Sequence, residues 1–456
     1  MYAILIALEA LLQLMMAWMT ISLAFQIIVS LFGFKRQTKD YEPHDPQMRF
    51  LVLIPAHNEA GVISGIIENM HHMDYPKELF DVYVLADNCT DDTAELARCL
   101  GASVLEFHNA SGNEPTGKSI ALQKAFRALP GYEKKYDAVF FFDADNLVDH
   151  AMFREVNSQF LSADDQTEII QCYLGCKNNR GLVAYFYYLT YTISNRFLQY
   201  SRYRLHLNCG IGGTGFVVTT RYLYQRGGWT VRSLTEDTEL QLAATLDGRR
   251  VLWNNHVRVY DEKPTRLGAS LRQRVRWAQG HWFVAFRNTV PTIRALRAKR
   301  ISVKEFISMF VQMYFPSTYL LAVINTLLIA GMNLLLEGPF REMPNSENMI
   351  VSMEPTWFGV GLFLYTLVLQ FLWGDWADNR QKWTFLRLPW MLLCFVVNTV
   401  VAGLAQFIGL FKYKEQNNWD KTEHTLLHGD DQVCPLDEEA DSLDEREGRM
   451  KVNRAL

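Results

Sequence analysis

The chain has no CxxC pair: its seven cysteines, at 89, 99, 172, 176, 209, 394 and 434, are odd in number and widely scattered. That spacing argues against a disulfide framework or a zinc site and for reduced thiols in cytosol or membrane. There is no charge block of one sign large enough to grip nucleic acid; 45 basic residues interspersed with 49 acidic ones leave a net charge of -4. Gly117-Lys118 lacks the upstream glycine that would complete a P-loop. The first apolar stretch has no basic leader of the kind that opens a secretory signal. The acidic C-terminal stretch is too short to fold as a regulatory domain, so control by a nucleotide second messenger on this chain is not expected.

What is present is 456 residues with 49% hydrophobic and 13% aromatic content, more than one typical domain needs. A mean hydropathy of -0.05 is therefore an average over unlike parts. Tyr2 to Phe34 is almost wholly apolar and is followed by Lys35, Arg36 and Lys39, which reads as a retained transmembrane helix (1–36) with its carboxyl end in the cytosol. After a polar linker, apolar runs at Phe50–Ile54, Val82–Ala86, Ala102–Leu105 and Ala138–Phe142 alternate with polar loops and helical patterns such as Ser119–Leu129. Strand, polar loop and helix in repetition predict βαβ units and a parallel sheet within 37–265, with acidic loops gathered on one edge. Gly181–Leu207 combines aromatics with Arg196, Arg202 and Arg204, suiting either a helix on lipid headgroups or in a protein groove, or an ordinary amphipathic helix of the soluble domain.

Residues 266–304 read as interfacial helices and 305–411 as C-terminal membrane helices. Phe315–Leu336 and Trp357–Trp373 are long enough to span, with the acidic loop between them outside and the basic stretches Arg294–Lys304 and Arg380–Arg387 inside. Leu388–Phe411 either spans or lies re-entrant or interfacial; its flanking Arg387, Lys412 and Lys414 and its internal Asn398 and Gln406 favour the second, which leaves the tail inside. In Asp430–Glu447 nine acids face one arginine, so 429–456 is expected to be disordered.

The chemistry gathers on Val139-Phe140-Phe141-Phe142-Asp143-Ala144-Asp145. A buried strand running into two carboxylates one residue apart places them at the carboxyl end of a sheet, where open α/β folds bind ligands. Such a pair suits a hard divalent cation that also touches substrate phosphates; two solvated aspartates in a turn would read the same way.

Taken in order, Pro55-Ala56-His57-Asn58-Glu59, Asp87, Gly117-Lys118, Asp143-x-Asp145, Thr235-Glu236-Asp237 and Gln273-x-x-Arg276-Trp277 resemble the motif series of the processive family-2 glycosyltransferases, the cellulose, chitin, hyaluronan and poly-N-acetylglucosamine synthases. The resemblance covers roughly residues 50 to 425. It implies an α/β nucleotide-sugar transferase domain, GT-A-like with a mostly parallel sheet, inserted between transmembrane helices. It implies a multi-pass protein of the cell membrane, catalytic domain cytosolic, that polymerises UDP-glucose or UDP-N-acetylglucosamine with inversion and threads the polysaccharide through its own helices, with accessory export proteins as further partners. Trp277-Ala278-Gln279-Gly280 is similar to the poly-N-acetylglucosamine branch.

On this resemblance Pro55, His57, Glu59 and Asp87 hold the nucleoside, where carboxylates accept from imide and hydroxyl groups. His57 departs from the tyrosine common in the family. Lys118 approaches the diphosphate; Asp145, assisted by Asp143, holds Mg2+ or Mn2+ on it. Asp237, with Glu236 and Thr235 beside it, is the base for the acceptor hydroxyl. Gln273 and Arg276 meet the departing diphosphate and Trp277 stacks under the acceptor sugar. Gly210–Gly215 brings backbone near the acceptor through Gly213, with Thr214 or Cys209 lining it. Trp419, Lys421, Thr422 and His424, within 412–428, match a loop that closes over bound nucleotide. Each motif has a plainer reading: Glu59, Asp87 and Thr235 as helix caps, and the Arg-Trp block as an interfacial anchor. Two other functions use the same parts: transfer of one sugar to a lipid carrier, and a transporter or scaffold with an inactive nucleotide domain. The last requires the carboxylates to be missing, and they are present.

Overall fold

The computed structural model describes residues 2–109, 117–318, 365–379 and 387–416, with isolated helical positions between 321 and 331. Most of the expected span Phe315–Leu336 and the first eight residues of Trp357–Trp373 lie outside the described residues; the rest of the second is a π-turn at Tyr365–Phe371 running into the helix Leu372–Asn379. The four loop positions Trp419, Lys421, Thr422 and His424 and the acidic tail also lie outside the described residues.

Eight strands form one sheet in the order β3-β2-β1-β4-β7-β6-β8-β5. β1 (Phe50–Ala56), β2 (Phe80–Asp87), β3 (Ser103–Phe107) and β4 (Ala138–Phe141) are mutually parallel where they pair. Their side chains alternate between two cores. Phe50, Val52, Ile54, Phe140 and Phe142 enter one, and Leu51, Leu53, Val139 and Phe141 the other. Burial on both faces is why these strands read as unbroken apolar runs. Because they point the same way, the loops after β1, β2 and β4 emerge on one edge.

The far half of the sheet is mixed. β7 (Phe216–Thr219) runs antiparallel to β4 and to β6 (Thr167–Cys176), β8 (Arg250–Asp261) runs parallel to β6, and the short β5 (Leu147–Val148) runs antiparallel to β8. The reversal at β7 follows the glycine-rich segment that crosses the edge of the sheet, and a purely parallel reading does not anticipate it.

Leu182–Ile193 is helical and continues through a π-turn at Ser194–Tyr200. Its apolar residues are covered by protein: Val183, Phe186, Tyr187 and Leu189 pack with Phe371, Leu372, Met391 and Cys394. Among the described residues two helices are long and apolar enough to cross a membrane, Ile6–Phe34 and Leu388–Lys412. The second carries Leu393, Val396, Val400, Leu404, Phe407 and Phe411 exposed along one side, while Met391, Cys394, Ala405 and Gly409 are buried. Its buried side rests along the helix Leu267–Arg297, where a Cβ on Gly409 would lie 2.4 Å from that of Ala278.

A buried ion pair joins the π-turn Ser194–Tyr200 to the helix Leu372–Asn379. Arg196 donates to Asp378, both side chains being almost wholly inaccessible. Gln37 Nε2 reaches the same carboxylate at 2.9 Å, and Arg196 Nη2 reaches the carbonyl of Lys35 at 3.1 Å. Arg258 of β8 donates to Asn379 Oδ1 at 3.1 Å. Removing one member leaves the other charge stranded. Arg196→Met is expected to lower stability by about 3–5 kcal/mol, read as the thermal midpoint of detergent-solubilised protein; an unchanged midpoint would mean water reaches Asp378.

Candidate active site

On the loop edge of the sheet opens a cleft of about 980 Å3. Every described residue singled out from the motif series lines it: Pro55, His57, Glu59, Asp87, Lys118, Asp143, Asp145, Gly213, Thr214, Thr235, Glu236, Asp237, Gln273, Arg276 and Trp277.

The loops after β1 and β2 are tied together. His57 Nδ1 lies 2.7 Å from the carbonyl oxygen of Asp87, and Asn58, in the left-handed region at φ 56, accepts from the amide of Thr90 at 2.7 Å. The helix Ile63–His71 starts at Val62 and Thr93–Cys99 at Asp92, neither with a side-chain cap. Glu59 and Asp87 are therefore not spent as helix caps. Asp87 Oδ1 takes hydrogen bonds from Lys124 Nζ at 3.3 Å and Asn88 Nδ2 at 3.1 Å.

Lys118, first residue of the helix Lys118–Ala128, occupies the centre. Its ammonium is 2.5 Å from Asp143 Oδ1, 2.6 Å from the carbonyl of Gly213 and 4.0 Å from Glu236 Oε1. Burial alone would depress this amine, but Asp143, Glu236 and Asp237 outweigh it and hold it above its ordinary value. The ammonium is thus committed to carboxylates, and a phosphate reaches it only in exchange for one of these contacts.

Asp143 and Asp145 follow β4 in a tight turn. The amide of Asp143 donates to Asn146 Oδ1 at 2.9 Å and Thr214 Oγ1 at 3.1 Å, while Asp145 Oδ2 accepts the amide of Glu262 at 2.9 Å. Among the described residues no three His, Cys, Asp or Glu side chains converge as a metal-ligand set. Two oxygen donors at a cleft wall still fit a hard divalent ion that takes its remaining ligands from substrate phosphates and water.

Across the cleft the helix Glu236–Leu246 begins at Thr235, whose hydroxyl makes no capping bond and has no hydrogen-bond partner among the described residues. Helix start and acidic motif coincide. Asp237 Oδ1 accepts the amide of Thr238 at 2.7 Å. Gly213, at φ 82, would place a Cβ 3.4 Å from Asp237 Oδ2, so glycine lets the loop pass close to this carboxylate. Thr214 lines the cleft, but Cys209 does not: it is buried in the core with Tyr200 and Ile211, because the chain turns outward only at the glycines that follow.

Burial pushes Glu236 up to about 7, helped by Asp237 and opposed by Lys118. Burial also raises Asp237, against the amide of Thr238 and Lys118. A base works ionised, so a raised carboxylate shifts the acid limb of its rate profile to higher pH. Burial is the main cause of that shift for Asp237, and removing a negative neighbour offsets part of it. In Glu236→Gln the acid limb of kcat against pH is expected to move to lower pH; movement the other way would mean Glu236 acts mainly through Lys118.

Gln273, Arg276 and Trp277 lie at i, i+3 and i+4 of one long helix and so share a face, which His281 extends into the cleft. Arg274 points elsewhere, its guanidinium 4.5 Å from the ring centre of Tyr187. Tyr187 also donates to Gln273 Oε1 at 2.8 Å and meets Trp277 edge-on at 6.2 Å. Among the cleft residues that carried no motif signal are Tyr191, Asp261, His281, Gln406 and Gln416. Gln416 Oε1 accepts the amide of Leu234 at 2.9 Å, binding the segment just after the helix Leu388–Lys412 to the segment that carries Asp237.

A beta-monoglucosyldiacylglycerol synthase of Nostoc is 27% identical over 256 residues, 53% of this chain and 52% of that one. A poly-beta-1,6-N-acetyl-D-glucosamine synthase of Staphylococcus aureus is 24% identical over 245 residues, 54% of this chain and 57% of that one. The chain spans about half the length of the curated relatives it matches. A mannosyltransferase from Pyrobaculum calidifontis, solved with GDP-mannose and Mn2+, superposes with a TM-score of 0.53 at 16% identity, over 88% of this chain and 99% of that one. It shares the GT-A-like fold. The family model described as glycosyltransferase like family 2 matches residues 46–280, just over half the sequence. This chain belongs to that glycosyltransferase family.

Proposed function

We propose that the protein is a membrane-embedded, inverting, processive β-glycosyltransferase that polymerises UDP-glucose or UDP-N-acetylglucosamine and passes the product out along its own membrane helices. The observation that carries the reading is the single cleft in which Asp143, Asp145, Asp237 and the Gln273, Arg276, Trp277 face converge, with a wall supplied by Gln406 and Gln416 at the end of an apolar helix. In this reading Glu59 and Asp87 hold the nucleoside, and Asp145 with Asp143 holds Mg2+ or Mn2+ on the diphosphate. The ion, when bound, neutralises charge on the departing UDP.

Asp237 takes the proton of the acceptor hydroxyl as its oxygen bonds to C1 and the bond from C1 to the diphosphate breaks; one displacement turns an α-linked donor into a β-linkage. Arg276 faces the departing diphosphate with two parallel donors. Trp277 stacks on the C–H face of the acceptor, a contact tolerant of sliding. The assigned layout is a membrane helix at 1–36, the cytosolic transferase at 37–265, interfacial helices at 266–304, membrane or interfacial helices at 305–411 and a nucleotide-covering loop at 412–428.

The relative that glucosylates diacylglycerol supports a second reading, transfer of one sugar to a lipid. One assay separates them: UDP release by purified protein in detergent with Mg2+ or Mn2+, each donor offered alone and products sized. A ladder of polymer from one donor is expected. A single lipid-linked product overturns the polymerase reading, and silence with both donors overturns the UDP-sugar reading altogether.

A further inference from the structure

Asp261 closes β8 on the cleft wall beside the Asp143-x-Asp145 turn, since the next residue, Glu262, donates its amide to Asp145. One of its carboxylate oxygens is occupied: Oδ2 is 2.5 Å from Lys263 Nζ. The other, Oδ1, is buried with no hydrogen-bond partner among the described residues. A carboxylate used only as structural cement would have both oxygens satisfied, because an unmet buried charge carries a full desolvation penalty. Lys263 is itself firmly held beside Asp261. It is 3% exposed, its ammonium lies 3.6 Å from the ring centre of Tyr191, and its backbone exchanges two hydrogen bonds with Asn178 at 2.7 and 2.8 Å. An ammonium so enclosed does not reach a diphosphate.

The pair also bridges two halves of the site. Tyr191 lines the cleft, and Lys263 stands 6.0 Å from the ring centre of Tyr187, the residue that holds Gln273 and abuts Trp277. Asp261 thus adjoins the carboxylates assigned to the diphosphate and, through Lys263, the aromatic residues that flank the acceptor face. It is not part of a three-ligand metal set with its neighbours.

From this we infer that Asp261 is a specificity-determining residue: its unpartnered Oδ1 accepts a hydrogen bond from one hydroxyl of the sugar carried by the bound nucleotide, with Lys263 as the positioning residue. The inference rests on the UDP-sugar reading above. A hydrogen bond to a charged acceptor corresponds to about tenfold to a hundredfold in discrimination.

The test uses whichever of UDP-glucose and UDP-N-acetylglucosamine turns over, its monodeoxy analogues, and UDP alone. In the native protein one deoxy donor is expected to lose about tenfold or more in kcat/KM. In the double variant Asp261→Leu with Lys263→Met, which removes the pair without stranding a charge, that penalty should vanish, with UDP affinity and Mn2+ affinity by electron paramagnetic resonance each changed by less than about twofold. Asp261→Asn, which keeps an oxygen for Lys263, should shrink the same penalty and no other. If the native protein tolerates loss of every hydroxyl, or the variants discriminate as it does, the assignment is wrong whether or not a variant folds poorly. A fall in Mn2+ affinity would make Asp261 a metal ligand and overturn it too. A native protein that turns over neither donor sinks the preceding reading and this one together.

Discussion

Asp237→Asn is expected to reduce turnover by about a hundredfold to ten-thousandfold while leaving the affinity for UDP nearly unchanged. The substitution preserves shape, and the new carboxamide oxygen can still accept the amide of Thr238, which Asp237 takes at 2.7 Å. What it loses is the ability to take a proton. The buried site supplies no ready substitute: Glu236 is pushed up to about 7 by its burial and is engaged with Lys118. Glu59 and Asp87, assigned to the nucleoside, lie on the opposite loops after β1 and β2, so binding of UDP should not feel the change. The measurement is kcat from UDP release beside a calorimetric Kd for UDP. Turnover within a few-fold of the native protein would remove Asp237 as the base, and a parallel loss of UDP affinity would recast it as a binding residue.

The strands that bring these groups together differed in how plainly the sequence announced them. β1 and β4 are buried on both faces and read as apolar runs ending in polar loops, so the edge holding His57, Asp143 and Asp145 was legible. β6 was not, because two polar residues interrupt it. Glu168 is fully buried, held by Arg221 at 2.9 Å, and Gln171 uses its side chain to bond Gly212, Thr214 and Gly215. Those partners are 41 to 53 residues away in sequence, so no local pattern reveals that a buried strand can carry them. The same holds for Asp261 and Gln416. Each becomes a cleft residue only because β8 and the last helix end where they do, which is a property of the packed sheet and not of any window of sequence.

The helix that carries Gln273, Arg276 and Trp277 is read from its face, but its distance from the base depends on one glycine. A Cβ added at Gly280 would lie 2.6 Å from Thr235 Oγ1 and 2.7 Å from the backbone nitrogen of Thr235. Backbone cannot rotate aside as a side chain can, so either the helix or the segment leading into Glu236 and Asp237 must move. Gly280→Ala raises helix propensity by about 0.8–1 kcal/mol, and the intrinsic effect therefore favours folding. Any loss of function then comes from the contact. A displacement near 1 Å of a reacting group lowers rate by about a hundredfold; kcat is expected to fall by that order, with KM for the donor and the UDP affinity little altered. Gly268→Ala on the same helix is the control, since a Cβ there meets nothing closer than Arg272 Nη1 at 3.8 Å, and it should keep native kcat. If Gly280→Ala also keeps native kcat, the Thr235 segment yields without moving Asp237, and the close approach of the two motifs is a matter of packing rather than of catalytic alignment.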